Sequence, residues 1–183
     1  MNPIRRRLIA ACALAAPVLG QAQPAAGDAA GQEAKARPLP AIGSPLARPA
    51  IERLDGARFE PRDADGRVLL LYWWASWCPF CAVTTPDLEA LWRAQRERPG
   101  QGQGQGLQML TLSIDSQPQV ARDYLARRGY TLPAAWVTPQ VQRALPKPRG
   151  LPVTLVRGRD GRVLQAEEGQ LFPEDVQAFT RHL

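Results

Sequence analysis

The chain has 183 residues, 45% of them hydrophobic, and a formal net charge of +6 with a single histidine, His182. That length has room for one ordinary globular domain plus extensions. The charge marks no nucleic-acid surface: six Lys/Arg face two acids before residue 51, and the remainder carries 17 basic against 15 acidic residues, without a basic footprint.

Residues 1–22 read as a cleaved secretory signal peptide, with Arg5, Arg6 and Arg7 before the apolar run Leu8–Leu19 and small residues at Gly20-Gln21-Ala22. A permanent membrane anchor needs about 20 apolar residues, more than this run supplies. Ile9-Ala10-Ala11-Cys12 has the look of a lipobox, but it would leave Leu8–Ala11 as the whole apolar core. Export is therefore expected, ahead of anchoring or lipidation. Cleavage removes Cys12 and leaves two cysteines, Cys78 and Cys81. Residues 23–49 are rich in Ala, Pro, Gly and Gln with no apolar period, the composition of a flexible tether. The folded domain is expected over residues 50–183.

Within it, Ile51–Leu54 and Ala57–Phe59 flank Asp55-Gly56 as a hairpin. Val68-Leu69-Leu70-Leu71-Tyr72-Trp73-Trp74 is unbroken and apolar, the signature of a buried strand. Thr84–Arg98 reads as a helix with Leu88, Leu91 and Trp92 on one face, Pro79 in its first turn and Pro86 as a kink or restart. The Gln-Gly run in Pro99–Gly106 is low-complexity loop. Leu107–Ile114 is a second strand, and Gln117–Arg128 an amphipathic helix with Val120, Tyr124 and Leu125 inward, stopped by Gly129. Leu132–Val137 is a short strand and Val141–Leu145 a short helix. Val153–Arg157, the turn Arg159–Arg162 and Val163–Ala166 form a hairpin, and Phe172–Leu183 a closing helix with Val176 and Phe179 inward. This order predicts an α/β fold, a mixed sheet sandwiched by helices.

The chemistry concentrates at Cys78-Pro79-Phe80-Cys81, between the first long strand and its helix. A sulfur at a helix N-terminus meets free N–H groups and the positive end of the dipole, which stabilise the thiolate that attacks disulfides. Structural zinc needs four ligands, and two mature cysteines with His182 do not supply them. As a purely structural bridge, so short a loop stabilises by only roughly 2 kcal/mol. Redox chemistry is the favoured reading. The dithiol suits Cu(I) as well, though only Met1 and Met109 stand in the chain to assist.

Four segments resemble the thioredoxin-fold TlpA/ResA-type periplasmic thiol–disulfide oxidoreductases: Trp73 to Cys81, Ser113-Ile114-Asp115, Gly150-Leu151-Pro152-Val153-Thr154, and Arg159 to Val163 with Gly169. The resemblance implies a three-layer sandwich with helices on both faces of a mixed sheet. It implies a cis Leu151-Pro152 bond beside a redox pair in which Cys78 is the exposed nucleophile and Cys81 the buried resolving thiol. Trp77, Pro79, Phe80, Leu151 and Pro152 would shape the substrate site. It further implies no cofactor beyond the disulfide, a periplasmic location, exported disulfide proteins as partners, a membrane thiol reductant and a link to cytochrome c biogenesis. A monomer is expected, and the uncharged Pro79-Phe80 pair leans toward a reductant. Disulfide oxidase, isomerase, and copper or apo-cytochrome chaperone remain the alternatives. Two departures stand out: Tyr72 and Thr84 occupy positions where relatives carry carboxylates that serve as proton relays.

Overall fold

The computed structural model describes residues 37–97 and 106–183. The expected signal peptide, tether residues 23–36 and most of the Gln-Gly run lie outside the described residues. A two-residue hairpin, β1 (Ile51–Glu52) with β2 (Arg58–Phe59), precedes a 3-10 turn at Pro61–Ala64. The sheet is built from β3 (Val68–Trp74), β4 (Leu107–Ser113), β5 (Ala134–Trp136), β6 (Val153–Arg157) and β7 (Val163–Glu168) in the order β5-β4-β3-β6-β7. The β3–β4 and β4–β5 pairs are parallel, whereas β6 runs antiparallel to both β3 and β7. The helices are α1 (Pro79–Arg96), α2 (Pro118–Arg128), α3 (Pro139–Ala144) and α4 (Pro173–Ala178), the last continued by a 3-10 turn at Phe179–His182.

All seven side chains of β3 are buried, which is why its sequence shows no polar alternation. The pleat divides them. Val68, Leu70, Tyr72 and Trp74 enter one core with Leu88 and Leu91 of α1, Ala121, Tyr124 and Leu125 of α2, Val176 of α4 and Phe179. Leu69, Leu71 and Trp73 enter a second core with Ile51, Phe59, Ala64, and Val141 of α3. Both β3-α1-β4 and β4-α2-β5 thus return over the same face, as right-handed crossovers progressing in one direction must. The outcome is the mixed, three-layer thioredoxin-like sandwich expected.

Several boundaries differ from expectation. The first helix starts at Pro79, not Thr84, because Cys78 caps it and Pro79 takes the position where no N–H is needed. It runs through Pro86 without restarting. On α2, Val120 is exposed and Ala121 takes the inward place with Tyr124 and Leu125. Gly129 ends α2 with φ of 65°, the left-handed cap anticipated. Arg122, Arg127 and Arg128 are exposed, Arg122 donating to the Leu54 carbonyl.

The flexible tether was expected to reach Pro49, yet from Arg37 onward the chain is bound to the domain. The Gly43 N–H donates to Val163 O, the Val163 N–H to Ser44 O and the Leu46 N–H to Gly161 O. Arg37 forms a parallel bridge with Pro148, and Leu39 and Leu46 pack against the second core. Residues 37–49 are a strap across the β6–β7 turn, held by backbone bonds that composition does not reveal.

Candidate active site

The strand β3 delivers Ala75-Ser76-Trp77 to the N-terminus of α1, where Cys78 has extended backbone (φ −83°, ψ 114°) and acts as N-cap. Its Sγ accepts the Cys81 N–H at 3.2 Å, and its carbonyl accepts the Ala82 N–H at 3.1 Å. Pro79 lies at the start of the helix and its first turn carries no acidic residue, so nothing there opposes the dipole. Cys78 and Cys81 are joined as a disulfide, with Cα atoms 5.2 Å apart.

Cys78 is not an openly exposed nucleophile. It is 4% exposed against 1% for Cys81, so access is graded in the expected order but both sulfurs belong to buried residues. The exposed surface belongs to their neighbours. Trp77, Phe80 and Val83 are each more than half exposed, as is Phe172 at the start of α4. Trp77 is therefore a rim residue. Trp73 and Trp74 are packing residues on opposite faces, Trp74 donating its indole N–H to Thr111 Oγ1 at 3.2 Å.

The Leu151-Pro152 peptide is cis, and Gly150 before it has φ of 84°. Pairing of Trp73 with Val153 places Pro152 at the end of the sheet where β3 gives way to the cysteine loop. Pro152 is buried and its carbonyl accepts the Gly169 N–H, while half-buried Leu151 packs on both cores. The loop ahead is tied by Lys147, whose buried Nζ donates to the Pro148 and Gly150 carbonyls at 2.7 Å each.

Neither position that departs from the resemblance offers a base. The Tyr72 hydroxyl, fully buried, lies 3.4 Å from the Cys81 carbonyl and 3.3 Å from Thr85 Oγ1. Burial pushes its phenol well above the usual tyrosine range, so it stays neutral. Thr84 turns away to the chain, accepting the Leu171 N–H at 3.1 Å and so holding the approach to α4.

One acidic group does reach the loop. Asp115, just beyond β4 and 3% exposed, accepts the Ser76 hydroxyl at 2.7 Å, the Ser76 N–H at 3.1 Å and the Ser113 hydroxyl at 2.8 Å. Its own carbonyl accepts the Trp136 indole N–H. The sequence showed Ser113-x-Asp115 only as a strand end; the signal was a short polar pair closing an apolar strand. His182 has a partner, Gln165 Oε1 at 3.1 Å. Among the described residues no group of three or more His, Cys, Asp or Glu is placed to hold a metal ion.

No protein-family profile matches the chain. Over 142 residues it is 20% identical to the thiol-disulfide oxidoreductase ResA of Bacillus anthracis, covering 78% of each chain. Over 115 residues it is 28% identical to Probable nucleoredoxin 3 of Oryza sativa subsp. japonica, covering 62% of this chain and only 23% of the rice protein. The chain thus spans about a quarter of that relative's length. Among solved structures it superposes on a thioredoxin-family thiol:disulfide interchange protein of Chlorobium tepidum with a TM-score of 0.65 at 20% identity, covering 78% of this chain and 97% of the other.

Proposed function

From the premise that this chain is a thioredoxin-fold relative of the ResA-type oxidoreductases, we propose that it is an exported protein thiol–disulfide oxidoreductase, working as a reductant in the periplasm. The observation that carries the reading is the Cys81 N–H on Cys78 Sγ at the start of α1, which favours a thiolate at Cys78 over one at Cys81. In the reduced protein the Cys78 thiolate attacks a partner disulfide, forming a Cys78–partner S–S bond and expelling the partner's other sulfur as thiolate. Cys81 loses its proton to solvent and attacks Cys78 Sγ. The Cys78–Cys81 disulfide forms, the second partner sulfur leaves, and the partner has gained two electrons. A membrane thiol reductant returns them.

Export rests on residues 1–22, and the direction on Pro79-Phe80, which offers the Cys78 thiolate no side-chain donor or cation. The partners are disulfide-bearing exported proteins, apo-cytochrome c among the candidates, met by the chain as a monomer. The test is reduction of a protein disulfide such as insulin. Cys78→Ser is expected to abolish it, and Cys81→Ser to accumulate a partner covalently bound at Cys78. Undiminished turnover by Cys78→Ser sinks the reading. A reduction potential well below about −200 mV fits a reductant, and one near −120 mV would reverse the direction to oxidase.

A further inference from the structure

We propose that Asp115 and Ser76 form a polar latch that positions the cysteine loop and sets how readily the Cys78–Cys81 pair is reduced. The inference rests on the redox role proposed above and concerns a buried carboxylate that the exchange steps leave unused. Asp115 comes from the end of β4, whereas Ser76 lies two residues before Cys78. The carboxylate binds Ser76 twice over, through backbone N–H and hydroxyl, and Ser113 once more. Each of these partners is a donor, the surroundings of an anion. The latched segment then turns directly into the active helix, because the Cys78 N–H donates to Ala75 O at 3.2 Å.

Chain geometry keeps the charge close. Consecutive Cα atoms are about 3.8 Å apart, so Ser76 and Cys78 Cα atoms lie within about 7.6 Å of one another, and the carboxylate bonded to Ser76 N lies within about 15 Å of the Cys78 sulfur. A buried negative charge at this range is poorly screened and disfavours a second anion on Cys78. Reduction creates that thiolate and the disulfide carries no charge, so Asp115 biases the pair toward the disulfide and makes the reduced form the stronger donor of electrons. The Ser76 and Ser113 hydroxyls temper the bias by spreading the charge. Asp115 acts through the loop and its field, and is a positioning residue rather than a catalytic one.

The measurement is the equilibrium of the purified full-length protein with glutathione at fixed pH 7, in which disulfide plus two thiols gives dithiol plus oxidised glutathione. Asp115→Asn keeps the shape and removes the charge. It is expected to raise the equilibrium constant for reduction on the order of fivefold. Ser76→Ala and Ser113→Ala leave the charge less compensated and are expected to lower it about twofold, each with a folded melting transition. Opposite signs support the latch, since simple loosening moves every variant the same way. A constant within twofold of wild type for Asp115→Asn, or the same sign in all three variants, overturns it. Should Asp115→Asn fail to fold, the serine variants decide by their sign. If the wild-type pair does not cycle reversibly with glutathione at all, the oxidoreductase reading falls instead, and the two failures are distinct.

Discussion

Tyr72 shows how one side chain fixes what the site does without. Its phenol sits under the second cysteine, bonded to backbone and to Thr85, and burial raises its pKa above the usual 10.0. An acid raised on folding gives stability that is full below the unfolded value and lost as pH climbs through and beyond it. Tyr72→Phe is therefore expected to leave the rate of disulfide reduction unchanged between pH 6 and 9. It should cost about 1 kcal/mol of stability at neutral pH through the lost hydroxyl bonds, and blunt the fall of melting temperature above about pH 10. A rate profile that shifts in this variant would make the phenol a participant in proton transfer. The rim residues behave differently. Trp77 and Phe80 are 55% and 53% exposed, so their alanine variants should melt within about 1 °C of wild type. The apparent KM for a protein disulfide should rise several-fold in each, because the apolar contact surface beside the sulfurs is lost. Steady-state insulin reduction separates this from a change in kcat. The cysteine pair was legible because the unbroken apolar strand before it, the proline and the sulfur spacing are local, although the helix start itself was placed five residues late. The exposure of Trp77 was not, since an aromatic beside a motif has no period to betray its side.

At the scale of elements, the strap makes the clearest prediction. A chain beginning at residue 50, where the composition places the domain boundary, would lose the backbone pairing of Gly43, Ser44 and Leu46 with the β6–β7 turn and the packing of Leu39 and Leu46. Burial of two leucines is worth about 1.5–3 kcal/mol each when complete, and both are only half-buried, so a loss of about 2–3 kcal/mol is expected. A chain beginning at Arg37 should melt like the longer protein, and calorimetry of the two truncations checks it. The strap escaped the sequence for a physical reason. Its bonds are made by backbone groups of a non-repeating segment, and its two leucines stand seven residues apart among Pro, Gly and Ala. The regular elements were legible where their apolar patterns were unbroken: β3 and β6 begin and end where the sequence places them. Val120 and Ala121 show the limit of such patterns. Ala121 is small enough to pass unnoticed in a helical period, yet it is the one buried to 0% against the sheet.

Over the whole molecule, the two cores lie on the two faces of one sheet, and the redox pair sits at the end of it where Cys78 caps α1 and where the cis Leu151-Pro152 peptide leads into β6. No described cluster of ligating side chains offers a stabilising metal site. Dialysis against a strong chelator is accordingly expected to leave the melting temperature and disulfide reduction unchanged, measured on the same sample before and after. A fall in either would mean that a metal contributes to the fold. The fold class was legible from the order of strands and helices together with two widely spaced motifs. The assignment of α1, α2 and α4 to one face followed only from handedness and register, which no local pattern encodes.

The alternation within β3 has one more consequence. Because Val68, Leu70, Tyr72 and Trp74 face one core and Leu69, Leu71 and Trp73 the other, this strand is a ruler of fixed parity. Deleting a single residue such as Leu70 would flip every later side chain of the strand to the opposite face, putting Trp73 where Tyr72 lies and Tyr72 where Leu71 lies. It would also present the loop ahead of Cys78 turned to the opposite side. The strand therefore tolerates exchange of one apolar side chain for another of like volume far better than any change of length.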